Sequence, residues 1–140
     1  MIVVDTNVWS ETIRAQPASA VLEWVAAHAA KIHMPVVARH ELRVGALLLP
    51  AGRRREELSN SIDQMLAAMS ARLLTYDAAA ADAHAEIRAR AHAVGRALSA
   101  EDGQILGIAI AHAAAVATRN VRDFADYGVP VVDPWEWQGH

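Results

Sequence analysis

The chain has 140 residues, 54% of them hydrophobic, and a formal net charge of -3, enough for one domain with a buried core. It contains no cysteine, which excludes disulfide scaffolds, thiol nucleophiles and Cys-ligated zinc. The basic excess usual in nucleic-acid-binding surfaces is missing, and of the 13 basic residues only Lys31 is a lysine, so any phosphate recognition depends on where the arginines lie.

Ile2-Val3-Val4 is a continuous apolar, β-branched run, the pattern of a strand buried on both faces in a parallel sheet. It stops at Asp5-Thr6-Asn7, ahead of an amphipathic segment near Val8 and Trp9. Asp5 interrupts the only apolar stretch at the N-terminus, so no signal peptide is expected. The later run from Ile105 to Val116 contains His112 and is too short to span a bilayer. A cytoplasmic protein without membrane contact is the expectation. Val21, Leu22, Val25 and Ala29 mark a helix over Ala18 to Ala29, with Pro17 at its entry. Ile32 to Val37 predicts a second strand with Pro35 at its end, and Val37, Leu42, Ala46 and Leu49 a helix stopped by Pro50-Ala51-Gly52. Arg53 to Ala71 predicts a more polar helix, and Leu73 to Tyr76 a third strand. Asp77 caps a helix to about Ala93, Gly95 to Leu98 is a loop, and Ser99 opens a helix to about His112. Ala115 to Thr118 and Val129 to Val132 complete the strands. Strands separated by helices imply an α/β fold: a central, mostly parallel sheet of about five short strands with helices on both faces.

In such a sheet every strand delivers its carboxyl end to one rim, where ligands bind. Asp5 ends the first strand and also suits an N-cap. Glu41 lies one turn into the helix after the second strand, beside the apolar stripe of Val37 and Leu42. Asp102 stands three residues after Ser99, at capping-box spacing, with Glu101 about a quarter-turn away. Asp123 follows the fourth strand. Each has a bland reading as a cap, a solvated glutamate or a turn aspartate. Carboxylates gathered in one cleft repel unless a cation joins them. With no cysteine and no paired-histidine motif, the matching cation is hard and oxygen-loving, Mg²⁺ or Mn²⁺.

Asp5-Thr6-Asn7-Val8, His40-Glu41-Leu42 with Gly45, Ser99-Ala100-Glu101-Asp102 and Thr118-Arg119-Asn120-Val121-Arg122-Asp123-Phe124 together resemble a PIN-domain nuclease, in the branch of VapC-type and FitB-like toxins. The resemblance runs to Asp133-Pro134-Trp135 and implies a single PIN domain over 1–140. It further implies the toxin of a type II toxin–antitoxin module, a Mg²⁺-dependent endoribonuclease that uses metal-activated water. By position, Asp5, Glu41, Asp102 and Asp123 match the acidic residues, with Asp5, Asp102 and Asp123 as metal ligands. Thr6, Asn7, Thr118 and Asn120 match supporting polar positions. Arg119 and Arg122 flank the site and are candidates for RNA phosphate contact. The implied partners are RNA, a VapB-like antitoxin, promoter DNA only through that antitoxin, and a second copy of the chain. The helices around Val37 to Ala71, with Leu47, Leu48, Leu49, Leu58 and Met65, offer the apolar surface.

Pro35 and Ala38 stand where relatives carry a small polar residue, which predicts the loss of a supporting hydrogen bond to Glu41. The rivals are a PIN-fold binding module without efficient catalysis, a DNA-directed metal nuclease, and a haloacid-dehalogenase-type phosphatase, which needs an acid where Asn7 stands. Trp9, Trp24, Trp135 and Trp137 are expected in core or dimer contacts, with Trp9 nearest the site turn. Arg53-Arg54-Arg55 is either a solvated run or an RNA-backbone contact.

Overall fold

The computed structural model describes residues 1–139; His140, included in the expected domain span, lies outside them. Five strands form one sheet: β1 (Ile2–Val4), β2 (Ile32–Pro35), β3 (Leu73–Leu74), β4 (Ala115–Ala117) and β5 (Val131–Val132), in the order β3-β2-β1-β4-β5. Every pairing is parallel, with Ile2 opposite Ile32 on one side and Ala115 on the other. The connections are helical: α1 (Thr6–Thr12), α2 (Ser19–Ala27), α3 (Val36–Leu47), α4 (Arg53–Ala68), α5 (Ala78–Ala93), α6 (Ala100–Ala111) and α7 (Val121–Phe124).

Period-two alternation divides the strand side chains between two cores. Val3 and Val116 pack with Ile87, Ile105 and Phe124 from α5, α6 and α7. Val4, Met34 and Ala117 pack with Val8, Val21, Leu42 and Ile62 from α1 to α4. The expected helices on both faces are therefore present, and the apolar runs of the central β1 and β4 exist because both faces of those strands are covered, whereas Val132 of the edge strand β5 is exposed. Among the described residues no helix is long and apolar enough to cross a membrane.

Several boundaries differ from the sequence expectation. The helix expected to reach Ala71 stops at Ala68, and a 3-10 turn over Ser70–Arg72 follows. There the Arg72 guanidinium donates to the carbonyls of Ala29 and Ile32 and ties the turn to the start of β2. The third strand keeps only Leu73–Leu74 of the expected four residues. Asp123, for which a turn was the bland reading, belongs to the four-residue α7, too short to show a helical period in sequence. Both expected caps form: Asp77 accepts the Ala80 N–H at 3.0 Å, and Ser99 Oγ accepts the Asp102 N–H at 3.1 Å.

The chain builds β2 and β3 to one side of β1, then crosses to lay β4 and β5 on the other. Two connections diverge from neighbouring strands at β1 and β4, and such a switch point leaves a crevice at the strands' carboxyl ends.

Candidate metal-dependent active site

A cleft of about 430 Å³ opens at that switch point, with Asp5, Glu11, Glu41, Glu101 and Asp102 contributing carboxylates to its wall. Asp5 is delivered by β1 and is 6% exposed. Its N–H donates to Ala117 O at 2.9 Å, which locks the strand end to β4. Oδ1 accepts the Thr6 N–H at 2.7 Å, and Oδ2 accepts the Thr118 hydroxyl at 2.7 Å. Asp5 is thus both the cap of α1 and a wall of the cleft, and the two readings of its position are compatible. Thr118, fully buried, also accepts the Asn120 N–H at 3.0 Å, and Asn7 Nδ2 approaches it at 3.4 Å. All four expected supporting residues lie in this network or beside it.

Glu41 reaches the cleft from the second turn of α3, and the Thr6 hydroxyl donates to its Oε1 at 3.0 Å. The supporting hydrogen bond expected to be lost through Pro35 and Ala38 is supplied from α1 instead. Ala38 itself is buried in the core. Asp102 enters from the first turn of α6, where the helix dipole favours a negative charge. Glu101, expected to point away, lines the same cleft.

The electrostatics record how closely these acids are drawn together. Burial pushes the Asp5 carboxyl above its usual value, against the hydrogen bonds from Thr118 and Thr6, and the neighbouring Glu41 charge adds to the rise. Asp102 is pushed up to about 6, first by burial and then by the Asp5 charge, with Asp123 and Glu101 adding to it and Ser99 partly offsetting it. Asp123 itself is exposed on α7, off the cleft wall, and its influence is felt through Asp102.

Among the described residues, no three His, Asp or Glu side chains stand ready as the complete ligand set of one ion. The donor set nevertheless fits a hard cation, because Mg²⁺ keeps several waters and takes only one or two carboxylates directly. Asp5 and Asp102 are drawn from separate elements, Asp5 raised by burial and the Glu41 charge and Asp102 by burial and the Asp5 charge, and they are the pair that such a cation would relieve.

Besides Glu101, sequence reasoning missed Ser10, Glu11 and Arg14 in the cleft, and the place of Trp135 in its wall. Glu11, 5% exposed, accepts the Ala18 N–H at 2.9 Å and pairs with Arg14. The Ala18 bond chiefly, and Arg14 after it, hold its carboxyl below the usual range despite burial. The i, i+4, i+7 spacing of Asn7, Glu11 and Arg14 on one helix face was the available signal. Trp135, expected in core or dimer contacts, does pack on the α1–α4 core, but it also lines the cleft beneath Arg119. Trp9 is buried, with its indole N–H donated to Val4 O at 2.9 Å, and takes no part in the wall. Arg122 is exposed on α7, and its carbonyl accepts the Arg96 guanidinium at 2.7 Å.

A family model described as PIN domain matches residues 2–130. The chain belongs to the PIN-domain family. This PIN domain is 37% identical over 138 residues to VapC ribonuclease Y4jK of Sinorhizobium fredii, covering 97% of the chain and 99% of that protein. It is 34% identical over 137 residues to toxin FitB of Neisseria gonorrhoeae, covering 96% and 99%. A structure of FitAB bound to an IR36 DNA fragment superposes with a TM-score of 0.91 at 33% identity, over 100% of this chain and 99% of that one. Those relatives span the same elements that build the cleft, from β1 to the C-terminal Trp135 turn.

Proposed function

We propose that this PIN domain is a Mg²⁺-dependent endoribonuclease, with Mn²⁺ as an alternative ion, and the toxin of a type II toxin–antitoxin module. The observation that carries this reading is the meeting of Asp5, Glu41, Glu101 and Asp102 in one cleft from three separate elements. Asp5 and Asp102 would hold the cation, with Asp123 contributing from α7. A divalent cation bound there supplies a Lewis acid that neutralises phosphate charge and lowers the pKa of a bound water. Glu41, anchored through Oε1 by Thr6, keeps Oε2 free to orient that water or take its proton. Thr118 and Asn7 hold Asp5 and the β4 loop in register, and Arg119 faces the phosphate path. Arg122, further out on α7, contacts RNA only outside the cleft.

Asp5→Asn removes a negative charge without changing shape. It should abolish RNA cleavage measured with Mg²⁺, while the circular dichroism spectrum stays that of the wild type. Chelation with EDTA should silence the wild type equally. Undiminished cleavage by the variant would remove Asp5 from the mechanism.

The FitB relative is seen with FitA on DNA, and by the same pattern the partner here is a VapB-like antitoxin that reaches promoter DNA on behalf of the pair in the cytoplasm. A groove of about 820 Å³ between α1, α3 and α4 runs into the cleft through Ser10, Arg14 and Glu41. Ile13, Leu42, Leu58 and Ile62 give it an apolar floor, and Arg54 and Glu57 line it as well, a match for an amphipathic segment of that antitoxin. The exposed Val44, Leu47 and Leu48 at the end of α3 form an apolar face for a second copy of the chain.

A further inference from the structure

Arg119 stands in a cleft with five carboxylates, yet among the described residues its guanidinium forms no ion pair and no hydrogen bond. It lies instead over the indole of Trp135, 4.8 Å from the ring centroid. Both ends of this contact are fixed. The Arg119 N–H donates to Asn7 Oδ1 at 3.4 Å. Trp135 sits in the 3-10 turn Pro134–Glu136, whose start is set by Pro134 and by Asp133 Oδ1 accepting the Trp135 N–H at 2.9 Å. The indole is half-buried against the α1–α4 core, a contact that restrains it independently of the arginine.

A guanidinium stacked on an aromatic face is held through its flat surface, while its five N–H donors point outward in the plane. The Glu11 carboxylate, on the same wall, feels the Arg119 charge but is already occupied by Ala18 and Arg14. The result, among the described residues, is a cation near the acids that forms no ion pair with them, with its fork of donors unspent. A planar fork of this kind matches a phosphate bidentately. Were Arg119 to fold onto Asp5 or Asp102, it would neutralise the acids meant for a metal ion; the Trp135 face removes that competition.

We propose that Trp135 is a positioning residue that holds Arg119 as a clamp for an RNA phosphate next to the carboxylate cleft. The inference rests on the ribonuclease reading for its substrate, and its test separates the two. Binding of a single-stranded oligoribonucleotide of mixed sequence is measured on the Asp5→Asn background, where turnover does not intrude. Arg119→Ala should raise Kd about 5–10-fold and lower the salt slope by about 1 between roughly 50 and 200 mM salt. Trp135→Ala and Trp135→Leu should reproduce that loss, Trp135→Phe should stay within about twofold of the parent, and the Trp135→Leu/Arg119→Ala pair should bind no more weakly than Arg119→Ala alone. Trp135→Leu keeps apolar bulk on the core, so the comparison survives if the alanine variant fails to fold. Multiplying losses in the double variant, or parental affinity in Trp135→Leu, overturns the proposal. If the wild type cuts no RNA but this pattern holds, the clamp stands and the ribonuclease reading fails. Cleavage without the pattern overturns the clamp alone.

Discussion

Asp102 shows how a single side chain carries the site's electrostatics. Its carboxyl is moved from 3.8 to about 6 in the folded chain, first by burial and then by Asp5. The folded state therefore binds more protons than the unfolded one between those values, and stability must fall as pH rises through that window. The favourable contribution is complete below 3.8 and gone above about 6. Because the group is partly solvated, the loss is on the order of 1 kcal/mol rather than the full value of the shift. Urea unfolding without divalent ions should find Asp102→Asn more stable than the wild type by about that amount at pH 7, and equal to it near pH 3.5. Mg²⁺ should restore the wild type at pH 7 more than at pH 5, since a ligand carboxyl must first shed its proton. At this scale Asp5, Glu41 and Asp102 were legible because each is placed by a local rule, a strand end or a helix start. Glu11 and Trp135 were not, because their partners, Ala18 and Arg119, are fixed by the path of the chain.

Between elements, the closest packing lies where α5 meets α6. A Cβ added at Gly103 would fall on the His84 imidazole, and one at Gly107 on the Ala80 carbonyl oxygen. His84 is hydrogen-bonded to the Tyr76 hydroxyl at 2.8 Å, so its withdrawal costs that bond, whereas the Ala80 backbone cannot yield by a side-chain rotation. Gly107→Ala meets backbone and should destabilise the chain by about 1–3 kcal/mol, read as a lowered melting temperature. Gly103→Ala should cost less stability. Its displacement is felt one residue from Asp102, so RNA cleavage should fall with it, and His84→Ala in the same chain should recover both. Full activity and wild-type melting in Gly103→Ala would show that α6 tolerates the methyl. The helices themselves were readable from apolar period and from the Asp77 and Ser99 caps. The third strand was readable but not its two-residue length, and the four-residue α7 and the 3-10 turns were not readable, since segments that short have no period and follow tertiary hydrogen bonds.

At the scale of the whole molecule, the end of α3 carries an uncovered apolar face. Val44, Leu47 and Leu48 follow i, i+3, i+4 spacing, and Leu48 is 80% exposed, an apolar face of the kind that marks an interface. Light scattering at micromolar concentration should give the mass of a dimer, and Leu48→Glu should shift it to monomer while Mg²⁺-dependent stabilisation is retained. A wild-type monomer under those conditions would overturn the homodimer. The face lies away from the carboxylate cleft, so its loss should leave cation binding intact.

Sequence alone determined the alternation of strands and helices, the parallel sheet and the acids at its rim, because burial of both sheet faces and helix capping are local demands on residue type. The order β3-β2-β1-β4-β5 was decided only in three dimensions. That order sets β1 beside β4, closes Asp5 on Thr118, and brings α6 over the strand ends so that Asp102 faces Asp5. The physical reason is that a crossover's direction depends on how whole layers pack, and charge repulsion between distant residues exists only once the chain has folded them together.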